Sequence, residues 1–159
     1  MSEQLSPGAR RVQEVLESLG VSSRVTELTQ TTRSAQDAAQ AVGCEVGQIA
    51  KSLVFKGASS HKGILVVASG ANRVNEKELS KLLGEPVLKA DADFVRRSTG
   101  FAIGGVPPVG HLQPLTVFID EDLLQYADIW AAAGTPQAVF KLTAQELLRI
   151  TEGKVICVK

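Results

Sequence analysis

A lysine at the head of an apolar strand and glycines in a proline-bounded loop are the residue types in this chain that suit chemistry. Thr99-Gly100-Phe101-Ala102-Ile103-Gly104-Gly105-Val106-Pro107-Pro108-Val109-Gly110-His111 carries four glycines and two prolines. Gly104 and Gly105 let the backbone take positive φ and approach a ligand closely, while Pro107 and Pro108 hold the loop's exit extended. Successive amides of such a loop suit a phosphate, a carboxylate, or the oxyanion that develops when an ester is attacked. The same composition also makes a wide connection between two elements. Lys51 opens Lys51-Ser52-Leu53-Val54-Phe55. It is either an edge residue with its ammonium in water or a fixed cation near a phosphate or substrate carbonyl.

Other side chains carry paired readings. His111, directly after the loop, either hydrogen-bonds substrate or is a structural histidine beside a strand. Arg73, Lys89, Arg96 and Arg97 form either a local patch for an RNA acceptor stem or scattered solvated charges. Thr135 either meets a substrate side chain or caps its own loop. Cys44 and Cys157 lie in apolar stretches, far apart in sequence, and read as buried core thiols in a reducing compartment. No CxxC or paired-His spacing supports a metal site, and no cofactor motif is present. Gly43 to Ser52 ends in Lys-Ser like a phosphate-binding P-loop, but Gly47 stands four residues upstream of the lysine instead of next to it. There is no G-x-S-x-G nucleophile elbow.

The elements that must position these residues follow from caps and periodicity. Ser6-Pro7 with Val12, Val15, Leu16 and Leu19 predicts an amphipathic helix stopped by Gly20. Val21 to Thr29 reads as a strand, and Ser34 with Asp37 opens a helix over Ala35 to Val42. A short helical turn leads into the strand from Lys51 to Phe55, and Gly63 to Ala68 is an apolar run fit for a strand covered on both faces, making a central hairpin. Asn75 with Glu78 caps a helix stapled by Val74 and Leu79 and closed by Gly84. Pro86 to Leu88 is a short strand and Asp91 caps a helix up to Ser98. Beyond the glycine loop come strands at Leu115 to Ile119, Ile129 to Ala132 and Ala138 to Leu142. Thr143 with Glu146 is a capping box for a helix to Ile150, and Lys154 to Val158 closes the chain as a strand. The order predicts a single α+β domain over residues 1–159, with a mixed, largely antiparallel, curved or barrel-like sheet surrounded by helices.

Composition narrows the class of partner. The 159 residues are 44% hydrophobic and 21% charged, with 17 basic and 17 acidic residues, so no global field draws in nucleic acid and any such contact must be local. No apolar run approaches the ~20 residues that span a bilayer, and the polar start lacks a signal-peptide pattern. No membrane contact and a cytoplasmic location are expected.

Taken together, Gln48-Ile49-Ala50-Lys51-Ser52-Leu53-Val54-Phe55, Arg97-Ser98-Thr99-Gly100-Phe101, Gly104 to Gly110 and Ala133-Gly134-Thr135 resemble the YbaK/prolyl-tRNA synthetase editing-domain family over about Ser34 to Ile150. Members hydrolyse wrongly charged aminoacyl-tRNA, either free-standing or inserted in a synthetase. The resemblance implies that Lys51 is the family's functional lysine. Gly104 and Pro108 match the first and last positions of its GxxxP loop, which lies against the aminoacyl ester and terminal adenosine, with Gly105 inside it. Gly134 matches a glycine on a further substrate-facing loop, beside Thr135. In the cysteinyl-tRNA-hydrolysing branch that glycine is followed by basic residues and an aspartate. Here the stretch reads Thr135-Pro136-Gln137-Ala138-Val139-Phe140.

An aminoacyl ester is already activated, so positioning and one oxyanion donor, worth about 3 kcal/mol, suffice without a protein nucleophile. The expected activity is hydrolysis of mischarged tRNA, of the tRNA(Pro) type and carrying a small amino acid, with a synthetase as a further candidate partner. Two rivals remain: a non-catalytic module that binds an aminoacyl or nucleotide ligand in the same pocket or docks on a synthetase, and a small-molecule esterase, which leaves Lys51 no phosphate to meet.

Overall fold

The computed structural model describes residues 5–29 and 34–159. Helix α1 (Pro7–Ser18) buries Ala9, Val12 and Leu16 on one stripe. Helices α2 (Ala35–Val42), α3 (Glu76–Leu83), α4 (Ala92–Thr99) and α5 (Ala144–Thr151) begin at Ser34, Asn75, Asp91 and Thr143. Each of those side chains accepts the N–H three residues on. Such caps contribute about 1 kcal/mol apiece. No helix among the described residues is long and apolar enough to cross a membrane.

The strands are β1 (Thr26–Glu27), β2 (Ile49–Gly57), β3 (Gly63–Ser69), β4 (Val87–Lys89), β5 (Thr116–Asp120), β6 (Asp128–Ala132), β7 (Ala138–Thr143) and β8 (Lys154–Ile156). They form one mixed sheet in the order β1-β7-β6-β2-β3-β5-β8, with β4 also on β2. β2 and β3 are the expected central antiparallel hairpin, Ala50 opposite Ser69 through Lys56 opposite Gly63. β5 lies parallel to β3, β8 parallel to β5, and β6 parallel to β2.

The sheet does not close into a barrel: its path runs from β1 to β8 and these end strands do not pair, and both of its faces are core. Leu65 and Val67 of β3 enter one apolar cluster with α1, α5 and the glycine loop. Ile64, Val66 and Ala68 enter a second with Leu79, Val87 and Phe118. Each fully buried aliphatic side chain there contributes about 1.5–3 kcal/mol. Val74 and Leu79, the expected staple, meet in the second cluster.

The strand expected over Val21 to Thr29 shrinks to two residues. Val25 donates its N–H to the Gln13 Oε1 at 2.8 Å, so a side chain of α1 takes the bond a ladder would use. Val21 and Val25 still bury against the core.

One irregularity of the sheet matters for function. β3 covers one edge of β2, while the other edge is shared: β6 pairs with Ile49 and Ala50, and β4 pairs with Phe55 to Gly57. Between them, Lys51, Ser52 and Leu53 face no strand on that side among the described residues.

Candidate active site along the open edge of the central strand

A trough of about 1160 Å³ opens along this gap. Side chains alternate between the faces of a strand, so the trough straddles the sheet. On one face its wall includes Lys51, Arg73 and Trp130; on the other, Ser52, Val54, Val95, Val106, Ala131 and Ala138. Ala90 donates its N–H to the Val54 carbonyl at 3.2 Å across the gap's far end. Strand alternation therefore turns the N–H and C=O of Ser52 toward the same open edge.

Lys51 is half-buried. Desolvation lowers its pKa from the ordinary lysine value, the neighbouring Arg73 charge lowers it further, and Asp120 works in the opposite direction. Register explains the last influence: Lys51 pairs with Ala68 on β3, and Val67 pairs with Ile119 on β5, so Lys51, Ala68 and Asp120 form one row across three strands on one face. Asp120 is buried and held: its Oδ2 accepts from Ser69 N–H at 2.9 Å and Asn72 Nδ2 at 2.8 Å, its Oδ1 from Asp122 N–H at 2.9 Å.

The glycine loop begins where α4 ends. Thr99, wholly buried, donates its hydroxyl to Val95 O at 2.7 Å and accepts Phe101 N–H at 3.0 Å. Leu112 and Gln113 return their N–H groups to Thr99 and Ser98, so the loop leaves and re-enters at one place. Gly104 takes φ +95°, exposed at the trough wall with, among the described residues, only Pro136 near the position of a Cβ. Among the described residues nothing accepts its N–H. Gly105 behaves differently: its N–H donates to Ala102 O at 3.0 Å, so the expected run of two free amides reduces to one. Its missing side chain admits the Thr135 backbone, whose Cα would stand 2.7 Å from a Cβ there.

Of the residues singled out from sequence, Lys51, Gly104, Thr135 and Arg73 share the trough wall. Thr135 spends its hydroxyl on its own loop, accepting Gln137 N–H at 3.2 Å. Gly105, Pro108 and Gly134 stand behind that wall as packing. Gly134, at φ +99°, lets its backbone cross that of Gly8 in α1. His111 also lies behind it, with Nε2 2.8 Å from Pro107 O. A carbonyl only accepts, so Nε2 carries the proton; burial, the largest influence, pulls this imidazole's pKa down. Arg96 and Arg97 point into solvent from α4, and among the described residues the trough's basic side chains are Lys51, Arg73 and Lys89, the last 4.0 Å from Glu76. The cysteines are not the core thiols expected: Cys157 is exposed and Cys44 is half-buried. Cys44 bonds the Glu45 carbonyl at 3.3 Å, and desolvation raises its pKa.

Ser52 was absent from the sequence-based candidates. Its Oγ is enclosed and has no hydrogen-bond partner among the described residues. No local signal marks it, because the gap that isolates it depends on where β4 and β6 stop.

A sequence model described as an aminoacyl-tRNA editing domain matches residues 29–150. The chain belongs to this family. Among members, the uncharacterised protein YwhH of Bacillus subtilis is 30% identical over 131 residues, covering 82% of this chain and 83% of its own. EbsC of Enterococcus faecalis, a candidate Cys-tRNA(Pro)/Cys-tRNA(Cys) deacylase, is 28% identical over 76% of this chain and 74% of its own. The crystal structure of a candidate trans-editing enzyme for prolyl-tRNA synthetase superposes with a TM-score of 0.93 at 52% identity, over 98% of this chain and 99% of that one. The editing-domain match spans every trough residue named above.

Proposed function

We propose that this editing domain is a hydrolase that deacylates mischarged tRNA carrying a small amino acid, with prolyl-type tRNA as the first candidate substrate. The observation that carries the reading is the joint placement of Lys51 and Gly104, whose N–H has no acceptor among the described residues, on the walls of one trough beside an apolar chamber of small side chains. Lys51 and Arg73 of the trough suit the phosphate and ribose oxygens of a tRNA 3′ end. Ala50, Val54, Val106, Ala131 and Ala138 leave room for a short aminoacyl side chain.

In this reading water attacks the ester carbonyl carbon and the carbonyl oxygen becomes an oxyanion, to which the Gly104 N–H donates. The tetrahedral intermediate collapses by breaking the bond to the ribose oxygen. That oxygen gains the proton the water gives up, leaving free amino acid and uncharged tRNA. The activated ester lets positioning supply most of the acceleration. His111, neutral and committed to Pro107, takes no part.

The test is a deacylation assay with the purified protein on tRNA(Pro) charged with alanine, serine, cysteine and proline. Turnover of a small non-cognate ester above the no-enzyme rate supports the hydrolase. Saturable binding of every substrate with no turnover establishes the binding module instead.

A further inference from the structure

We propose that Arg11 of α1 is a positioning residue for the site, its guanidinium stapling the two ends of the glycine loop so that Gly104 is held at the trough wall. The proposal rests on the hydrolase reading for its kinetic consequence and on geometry alone for its structural one.

Three contacts converge on this side chain. Nη2 donates to the Gly110 carbonyl at 3.0 Å, at the loop's exit. The guanidinium carbon lies 4.7 Å from the centroid of the Phe101 ring, at its entrance. A Cβ on Gly100 would stand 2.8 Å from Nη1, so the cation is also pressed against the backbone that leaves α4. Gly100 and Gly110 both adopt positive φ, at +84° each, and the guanidinium bridges these two hinge-like positions. A planar group that donates at its edge and stacks with its face makes both contacts at once, which an ammonium does not.

The same helix touches the site a second time. Gly8 lies one turn before Arg11, on the same side of α1, and packs backbone to backbone on Gly134, where a Cβ would come 2.8 Å from the Gly134 carbonyl. Gly134 in turn donates its N–H to Gly105 O at 2.9 Å. One helix face thus braces both loops that border the trough. Between the stapled ends, Ala102, Ile103 and Gly104 are exposed and carry little packing of their own. Their position is inherited from the ends. Helix α1 precedes residues 29–150, so this brace lies outside the segment matched as the editing domain.

The experiment uses the full chain and Arg11→Ala, with Arg11→Lys as the variant that keeps a charge and a donor without the planar face. Residue-resolved amide hydrogen exchange is measured alongside deacylation of alanyl- and seryl-tRNA(Pro). Arg11→Ala is expected to speed exchange at the amides of residues 101–106 by about tenfold or more while leaving β3 unchanged. It is expected to lower kcat by about 10–100-fold with little change in KM, since a small misplacement of the oxyanion donor acts on the transition state. Free guanidinium at low millimolar concentration restores part of the loss in Arg11→Ala, and Arg11→Lys stays impaired. Loop exchange like wild type overturns the proposal, as does faster exchange spread evenly over the sheet, which marks a fold-wide role. If the wild-type protein deacylates nothing, the hydrolase reading fails, and the exchange comparison still decides whether Arg11 staples the loop.

Discussion

Gly105 accepts the Gly134 N–H at 2.9 Å, so the two loops that border the trough are joined through their backbones. A methyl on Gly105 would press on the Thr135 Cα, N and C atoms at 2.7 to 2.9 Å, and backbone gives way less easily than a side chain end. Gly105→Ala is therefore expected to cost about 1–3 kcal/mol of stability and to reduce turnover by parting the loops. Gly104→Val brings its Cβ only to ordinary contact with the Pro136 Cγ at 3.9 Å, but it must leave φ +95° and places a branched side chain at the trough wall. Its expected signature is the reverse: turnover lost with a smaller drop in thermal midpoint. Paired melting and deacylation measurements separate the two, and an active Gly104→Val protein would reduce the loop to a connector.

Lys51 carries a prediction in which activity and stability move in opposite directions. Burial lowers its pKa below the ordinary lysine value of 10.5, with Arg73 adding to the fall. The folded state therefore binds this proton less tightly than the unfolded chain. Stability rises with pH only in the window between the lowered folded pKa and 10.5; below it the cost of the buried charge is fully present. Lys51→Met removes that charge, so its thermal midpoint at neutral pH is expected to equal or exceed that of wild type. Deacylation should fall by about 100-fold as the positioning cation is lost. In the wild type, the alkaline limb of kcat/KM should lie below the usual lysine range. Near-normal turnover in Lys51→Met removes the residue from the mechanism.

Helix starts were legible in the chain because a cap is a local device: Ser34, Asn75, Asp91 and Thr143 each sit three residues before the N–H they accept. The both-faces strand at Gly63–Ser69 was legible for the same reason, as an unbroken apolar run. Lys51 and Gly104 were found by motif and share one trough. The open edge itself had no local mark. It exists because β6 leaves β2 after Ala50 and β4 joins only at Phe55, two strands far apart in sequence acting on a third. Ser52 and Arg11 owe their settings to such long-range placement. In the linear chain one is the residue after a lysine, the other a charge on an amphipathic helix.

Ser52 gives a prediction that separates a recognition group from a structural one. An enclosed hydroxyl without a partner costs about 1–3 kcal/mol relative to a satisfied one. Its Oγ has none among the described residues, so Ser52→Ala should leave the thermal midpoint unchanged or raise it. If the hydroxyl meets the substrate, the same change should raise KM for seryl-tRNA more than for alanyl-tRNA. A drop in thermal midpoint would show instead that Ser52 holds the strand.

The last prediction concerns which amino acids are cleared. After Gly134 the chain has neither the basic residues nor the aspartate of the cysteine-specific branch, and the chamber is walled by Ala50, Val54, Val106, Ala131 and Ala138. Val109 of the glycine loop is buried in the core cluster, away from this chamber, so the small alanines set the size. Steric exclusion alone separates neighbours weakly: one methylene is worth about 1–3 kcal/mol, or roughly 10–200-fold. Alanyl- and seryl-tRNA should be hydrolysed at rates within that range of each other, with prolyl-tRNA slower than both. Ala138 is 1% exposed and forms part of the wall, so Ala138→Val should shrink the chamber and shift the ratio further toward alanine. Thr135→Val, which removes the bond to Gln137 N–H, should loosen the loop by about 1 kcal/mol without changing that ratio. Competition assays with pairs of charged tRNAs read the ratios directly. A strong preference for cysteine alone, or an Ala138→Val profile identical to wild type, would move the specificity pocket elsewhere in the trough.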